Sequence, residues 1–354
     1  MIRVGLIGFG LAGQAFHAPM IRSVPGLELA CIVARRDELA RQKYPGVHTS
    51  RALEEMLSDE TIRLCIVATP NATHFEFARR CLAAGRDVIV DKPFTNTSAE
   101  ARELIRLAEE RKRLLGAFHN RRWDGDFLTV QKVIAGGALG RIVSYESHFD
   151  RFRPEPDPAA WRDRPEPGSG TLYNLGPHML DQAFVLFGTP SAITAQVYSE
   201  REGAVVDDAM DIRLEYPGLR AVLRASTVAY FPGPRFLIYG TQGSFVKYGL
   251  DPQEEWLRRG ELPSDAHWGE EPESEWGTLY LAGGGASPRA ENVRTEAGDY
   301  RRFYENVRDA LLEGKPLAVS ARDGLRTIRA IEIALESNRE RRTIEWSDAT
   351  PAAK

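Results

Sequence analysis

The sequence predicts an α/β protein in two parts: a doubly wound parallel sheet over residues 1–120, then an α/β domain over residues 121–354 built on a mostly antiparallel sheet. Three observations predict it. Short apolar runs alternate with longer amphipathic ones through the first 120 residues, the rhythm of parallel strands joined by crossover helices. After His119 the pattern changes, and strand-like alternation sets in from Arg141. A chain of 354 residues also exceeds the usual size of one domain.

Taken in order, Ile2 to Ile7, Leu27 to Ala34, Leu64 to Ala68, Asp87 to Val90 and Leu114 to Phe118 are rich in Val, Ile and Leu, as strands buried on both faces are. Helices fill the gaps. Thr97 and Glu100 stand at capping-box spacing and start a helix that runs to Lys112. A helical segment from Phe127 to Ile134 ends at Gly136-Gly137. The runs Ile142 to Phe149, Ala192 to Tyr198, Asp208 to Tyr216, Arg220 to Tyr230 and Phe236 to Tyr239 make the second, largely antiparallel sheet, interrupted by a helix near Leu180 to Phe187. The stretch from Asp251 to Asn292, rich in Glu, Gly, Pro and Trp without periodicity, is expected to be a surface excursion. Helices from about Gly298 to Leu312 and Arg322 to Ser337 close the chain.

The charge balance, 46 basic against 50 acidic residues, offers no cationic stripe for nucleic acid. No apolar run approaches the eighteen or so residues of a membrane span. The first strand starts at Ile2 and leaves no room for a leader peptide, so a cytoplasmic protein is expected. Cys31, Cys65 and Cys81 lie in apolar stretches and outside any CxxC pair, which reads as reduced packing residues. Seven histidines without ligand spacing give no metal site.

Gly8-Phe9-Gly10-Leu11-Ala12-Gly13 sits directly between the first strand and a helix. In that context Gly8 permits the tight turn, Gly10 lets a backbone approach a pyrophosphate, and Gly13 lets helix and strand pack closely, while the helix N-terminus offers N–H groups to the anion. The alternative is a glycine turn in some other doubly wound protein. The second strand ends Ala34-Arg35-Arg36, with no acid to take a ribose 2′-hydroxyl and two arginines suited to a 2′-phosphate, which favours NADP with NAD as the alternative. Asp37 follows too late in the chain to serve as that acid. In the plainer reading, Arg35 and Arg36 start a helix in solvent.

Lys92 in Asp91-Lys92-Pro93 lies at the carboxyl end of a parallel strand, where such sheets bind ligands. A partly dry setting there would suit its amine to exchange a proton with a substrate hydroxyl. Without the glycine turn upstream it would read as a surface lysine. The segment from Gly168 to Asp181 leads into an amphipathic helix on which Asn174 and His178 share a face. His178 could relay the proton and Asn174 orient the hydroxyl; alternatively His178 is a satisfied helix histidine and Asn174 a cap. Arg151, Arg153 and Trp161 could supply polar contacts and a stacking face for a polyhydroxylated ring, or belong to an ordinary proline-stiffened connection.

Together the glycine turn, Thr69-Pro70-Asn71 with His74, Asp91-Lys92-Pro93 and the Gly168 to His178 segment resemble the Gfo/Idh/MocA oxidoreductases over nearly the whole chain. Phe118-His119-Asn120-Arg121-Arg122-Trp123-Asp124, Trp161-Arg162 and the stretch from Gly240 to Pro252 resemble its branch of NADP-dependent scyllo-inositol dehydrogenases. The resemblance implies a Rossmann domain joined to an α/β domain with a large open sheet, homo-oligomers (dimer or tetramer) formed through that sheet's outer face, and hydride chemistry on polyols and sugars. It also implies that Lys92 and His178 are catalytic and that Thr69, Pro70, Asn71, His74, Asp91, Lys92 and Asn120 line the cofactor. Trp161 and Arg162 would then approach its nicotinamide end.

Two positions depart from the family. Asp91 stands where glutamate is commoner, and Asn174 replaces an aspartate, so His178 should be the weaker base for want of a nearby carboxylate. The expected reaction is reversible oxidation of a secondary alcohol, with Lys92 the principal proton-transfer residue, His178 assisting, Asn174 positioning and Asp181 structural. The rivals are a dehydrogenase or reductase for another sugar derivative and a dinucleotide-sensing regulator without turnover.

Overall fold

The computed structural model describes residues 1–263, 267–282 and 289–347. The chain divides into two compact units, one of residues 1–120, 253–268 and 299–328, the other of residues 121–252, 269–298 and 329–354.

The first unit carries a six-stranded sheet of β1 (Ile2–Ile7), β2 (Leu27–Val33), β3 (His48–Ser50), β4 (Ile62–Val67), β5 (Asp87–Val90) and β6 (Leu115–Ala117), in the order β3-β2-β1-β4-β5-β6. Every pairing is parallel, and the order reverses direction from β1 to β4, the point at which doubly wound sheets open a ligand crevice. The interior strands are buried almost throughout, which is why they read as continuous apolar runs. Helices α1 (Ala18–Ser23), α2 (Glu38–Lys43), α3 (Leu53–Ser58), α4 (His74–Ala83) and α5 (Ser98–Arg111) make the crossovers. The expected box on α5 is present: Thr97 accepts from the Glu100 N–H at 3.2 Å and Glu100 accepts from the Thr97 N–H at 3.1 Å.

The second unit is built on nine strands, β7 (Ile142–His148), β8 (Ala192–Tyr198), β9 (Ala209–Tyr216), β10 (Leu219–Ala225), β11 (Phe236–Gly240), β12 (Gly243–Lys247), β13 (Gly277–Leu281), β14 (Arg289–Val293) and β15 (Ile344–Glu345). All neighbours are antiparallel except the central β10–β7 pair. Helices α6 (Gly125–Ala135) and α7 (Gly170–Phe187) belong to this unit. Asp251 accepts from the Gly125 N–H at 2.6 Å and so holds the start of α6. Helices α8 (Gln253–Arg258) and α9 (Arg301–Glu313) belong to the first unit, and α10 (Ala321–Glu340) begins in the first and ends in the second.

Three expectations need correction. The stretch from Asp251 to Asn292 is not a structureless excursion, because it contains α8 and contributes β13 and most of β14 to the sheet; residues 264–266 and 283–288 lie outside the described residues. Both strands are short and half exposed at one edge, so pairing with neighbours decides their conformation and alternation is weak. The helix expected from Leu180 starts at Gly170 and runs through Pro177, because its buried face outweighs the poor helix propensity of Gly and Pro. The strand expected to reach Tyr230 stops at Ala225.

Candidate active site

The glycine turn takes the form its residues require. Gly8 adopts φ +101°, and a Cβ there would stand 2.2 Å from the Ala68 carbonyl oxygen at the end of β4. A Cβ on Gly13 would stand 2.4 Å from the Gly8 carbonyl oxygen, so that glycine fixes how closely the helix returns to the strand. Around Gly10 a Cβ would meet nothing within 4 Å. The backbone is therefore laid open at the one glycine whose proposed role is to face a ligand. This cradle, opening on a helix N-terminus, fits a dinucleotide pyrophosphate. Leu11 is exposed and Phe9 is buried against Tyr44.

The helix after the turn begins with a π-helical turn, Gly13–His17, closed by the Ala18 N–H on the Gly13 carbonyl. Pro19 follows in α1, where it cannot donate to the carbonyl four residues back and its ring crowds it, and the widened turn relieves that conflict. The turn also aims His17 inward. Its Nδ1 lies 2.6 Å from the Tyr304 hydroxyl and its Nε2 lies 3.4 Å from Asp91 Oδ2. The sequence points to neither His17 nor Tyr304; the one signal it offers is a histidine inside the mostly apolar stretch from Ala15 to Ile21, of which His17 to Ile21 are buried.

At the end of β2, Arg35 and Arg36 are exposed and form no ion pair among the described residues. Asp37 is buried and held by Arg41 and by Arg51, whose Nε donates at 2.9 Å. Burial works against its charge, but the Arg51 hydrogen bond and both arginine charges prevail and keep the carboxyl below its ordinary range. The acid at this strand end is thus turned away from solvent and the arginines toward it.

Thr69, Pro70 and Asn71 follow β4 and lead through a 3-10 turn into α4. His74 is buried behind them, its Nε2 2.9 Å from the Thr69 carbonyl and its Nδ1 2.7 Å from the Pro93 carbonyl. It staples the end of β4 to the end of β5. Burial lowers its pKa, opposed by the Asp91 charge and the two carbonyls. Asp91, also buried, accepts the Lys92 N–H at 2.7 Å. Burial raises its pKa, but His17, Lys92 and His74 outweigh that and hold the carboxyl below its usual value. Lys92 is half-buried at the strand end, and the Lys92–Pro93 bond is cis. Asn120 is buried just beyond β6.

In the second unit, Asn174 and His178 lie one turn apart on α7, Asn174 partly exposed and His178 buried. Asp181 is taken up by Arg122 through contacts of 2.8 and 2.6 Å, a structural ion pair. The N-terminus of α7 is held by a residue absent from the sequence reading: the Asp207 carboxylate accepts from the Leu172 N–H at 2.7 Å. Arg151, Arg153, Arg162 and Asn174 line one recess together with Thr171 and Thr227. Trp161 opens the 3-10 turn that carries Arg162 and is half-buried, outside the lining of that recess. Burial pushes the Cys31 thiol up to about 12, and a hydrogen bond with Cys81, together with burial, holds the Cys65 thiol well above its usual value, so neither serves as a thiolate. Among the described residues no helix is long and apolar enough to cross a membrane.

Comparison with known proteins places the chain in a family. Residues 2–119 match the family model for the NAD-binding Rossmann fold of the GFO_IDH_MocA oxidoreductase family, and residues 131–346 match that for its C-terminal alpha/beta domain. The chain is 39% identical over 343 residues to scyllo-inositol 2-dehydrogenase (NADP(+)) IolW of Bacillus subtilis, covering 97% of this chain and 95% of that protein. It is 42% identical to the uncharacterized oxidoreductase YdgJ of Escherichia coli, with 97% and 98% covered. The solved structure of the putative oxidoreductase yvaA from Bacillus subtilis superposes with a TM-score of 0.94 at 39% identity over 98% of each chain. Two family domains in sequence, each with the sheet its description requires, make the chain a member of the Gfo/Idh/MocA oxidoreductase family.

Proposed function

We propose that this oxidoreductase uses NADP in preference to NAD to interconvert a secondary alcohol and a ketone on a polyol or sugar, an inositol among the candidates. The observation that carries the cofactor preference is the end of β2, where Arg35 and Arg36 face solvent and Asp37 is held by Arg41 and Arg51. An anionic 2′-phosphate suits that arrangement, and a 2′-hydroxyl finds no acceptor carboxylate there. The likeness to a protein named as an NADP(+)-dependent scyllo-inositol dehydrogenase supports the polyol.

When bound, the nicotinamide supplies the hydride acceptor and donor. The chain's part in this reading is to hold and to move protons. The turn from Gly8 to Gly13 seats the pyrophosphate, Thr69, Pro70, Asn71 and Asn120 line the dinucleotide, and Trp161 and Arg162 serve its nicotinamide end. Lys92 takes and returns the hydroxyl proton, assisted by His178, while Asn174 orients the substrate through its amide. The same reading makes the protein a homo-oligomer through the outer face of the second sheet, to be checked by light scattering on a sizing column.

Initial rates with NADP⁺ or NAD⁺ and a panel of inositols and sugars test the proposal, with Lys92→Ala as control. Turnover that prefers NADP⁺ and collapses in the variant is expected. Tight dinucleotide binding without turnover on any inositol or sugar would overturn the polyol reading and favour a dinucleotide sensor.

A further inference from the structure

Gln14 stands just after the glycine turn and holds both peptides that flank Gly10. Its side-chain Nε2 donates to the Phe9 carbonyl at 2.9 Å, and its backbone N–H donates to the Gly10 carbonyl at 3.0 Å. Both peptides are trans, so each N–H points away from the carbonyl of its own peptide. Fixing the Phe9 carbonyl therefore aims the Gly10 N–H, and fixing the Gly10 carbonyl aims the Leu11 N–H. Gly10 is also the glycine whose Cβ would meet nothing within 4 Å, so the backbone that these bonds orient is the part left open to a ligand.

A glutamine amide has two ends, and only the nitrogen end donates. Lys43, the last residue of α2, decides which end faces the turn: its ammonium donates to Gln14 Oε1 at 2.9 Å and leaves Nε2 for the Phe9 carbonyl. Gln14 is half-buried and Lys43 exposed, so their bond adds little to stability beside the water it replaces; what it contributes is direction. Tyr44, next in the chain, meets the Phe9 ring edge-on with centroids 5.9 Å apart and carries the Arg22 guanidinium over its own ring at 5.2 Å. The end of α2 thus grips the turn at two successive residues, one polar and one aromatic.

We propose that Gln14 is a positioning residue for the dinucleotide: it aims the Gly10 and Leu11 N–H groups at the pyrophosphate, and Lys43 sets the orientation of its amide. This rests on the dinucleotide reading above and deepens it. Gln14 and Lys43 act on the pyrophosphate, which NADP and NAD share, so they raise affinity for both cofactors alike. Arg35 and Arg36 act on the 2′-phosphate, which NADP alone carries.

The test is calorimetry of NADP⁺, NAD⁺ and adenosine 2′-monophosphate on the full chain and on Gln14→Met, which keeps the length of the side chain and removes its amide; thermal melts control for folding. Both dinucleotides should lose affinity by the same factor, about three- to tenfold for one orienting hydrogen bond, while adenosine 2′-monophosphate, which has no pyrophosphate, binds as it does to the parent. In turnover the loss should fall on the KM for the dinucleotide and not on kcat. Lys43→Met should show a smaller loss, again shared by both dinucleotides, and Lys43→Arg, which still donates to Oε1, should restore it. Amide exchange over residues 8–14 of the free protein, read by mass spectrometry, should be faster in Gln14→Met. Parental affinity for both dinucleotides in that variant would overturn the inference. So would lost affinity with exchange unchanged, which would make Gln14 a direct ligand of the cofactor, and a Lys43→Met defect confined to NADP⁺, which would give the lysine to the 2′-phosphate. A parent that binds neither dinucleotide would retire the cofactor reading instead; exchange then decides by itself whether Gln14 orders the turn, faster in Gln14→Met if it does and unchanged if it does not.

Discussion

His17 Nε2 stands 3.4 Å from the Asp91 carboxylate while its Nδ1 contacts the Tyr304 hydroxyl at 2.6 Å. The chain of three buried groups ends one residue before Lys92, and Asp91 accepts the Lys92 N–H. His17 is therefore a positioning residue behind the lysine. Asp91 has its folded pKa below the usual 3.8, so its contribution to stability is complete above that value and fades as pH falls through the folded one. His17→Ala should destabilise the protein by about 1–3 kcal/mol at neutral pH, the cost of an unsatisfied buried acceptor, and should move the acid limb of the kcat/KM profile upward. Tyr304→Phe should cost less and leave that limb in place. Denaturant melts and pH–rate profiles of both variants check this; an unmoved acid limb in His17→Ala would reduce the histidine to packing.

Two glycines of the turn, Gly10 and Gly13, should fail in different ways. A methyl group on Gly13 meets the Gly8 carbonyl at 2.4 Å, whereas one on Gly10 meets nothing within 4 Å. Gly13→Ala should lower the melting temperature. Gly10→Ala should keep stability within about 0.5 kcal/mol of the parent while weakening dinucleotide binding by about tenfold or more. Calorimetry beside thermal melts separates the two effects, and a Gly10→Ala protein with parental affinity would place the pyrophosphate elsewhere.

Arg35→Asp should exchange the attraction for a 2′-phosphate for repulsion and leave a carboxylate that suits a 2′-hydroxyl. The KM for NADP should rise about tenfold or more with that for NAD little changed. Equal effects on both cofactors would show that Arg35 is a solvent residue. Asp37 cannot stand in for the new acid, since Arg41 and Arg51 hold it.

What the sequence disclosed follows from how locally each feature is determined. The parallel strands and the capping box of α5 were legible because burial on both faces and a three-residue spacing leave direct marks. The glycine turn was legible for the same reason. The three-residue strand β3 was too short to leave a pattern. The first half of helix α7 is illegible in the sequence because Gly170, Gly176 and Pro177 mask a segment that burial nevertheless makes helical. His17 and Tyr304 are 287 residues apart, and the capture of Asp37 depends on an arginine 14 residues further along the chain. Such pairings exist only after folding.

Asp207 provides a stability test with a definite sign. Its carboxylate holds the N-terminus of α7 through the Leu172 N–H, yet burial pushes its pKa from 3.8 up to about 6 against that hydrogen bond. The folded protein therefore holds this proton more tightly than the unfolded chain. Its contribution is fully present below 3.8 and is lost as pH rises through about 6. At about 1.4 kcal/mol per pKa unit the loss is at most about 3 kcal/mol. Asp207→Asn keeps an oxygen for the Leu172 N–H and carries no charge at any pH. The variant should lose this slope in urea melts taken across that interval, and above it should be at least as stable as the parent. A variant that is less stable at neutral pH, with the slope unchanged, would show that the carboxylate charge itself secures the start of α7.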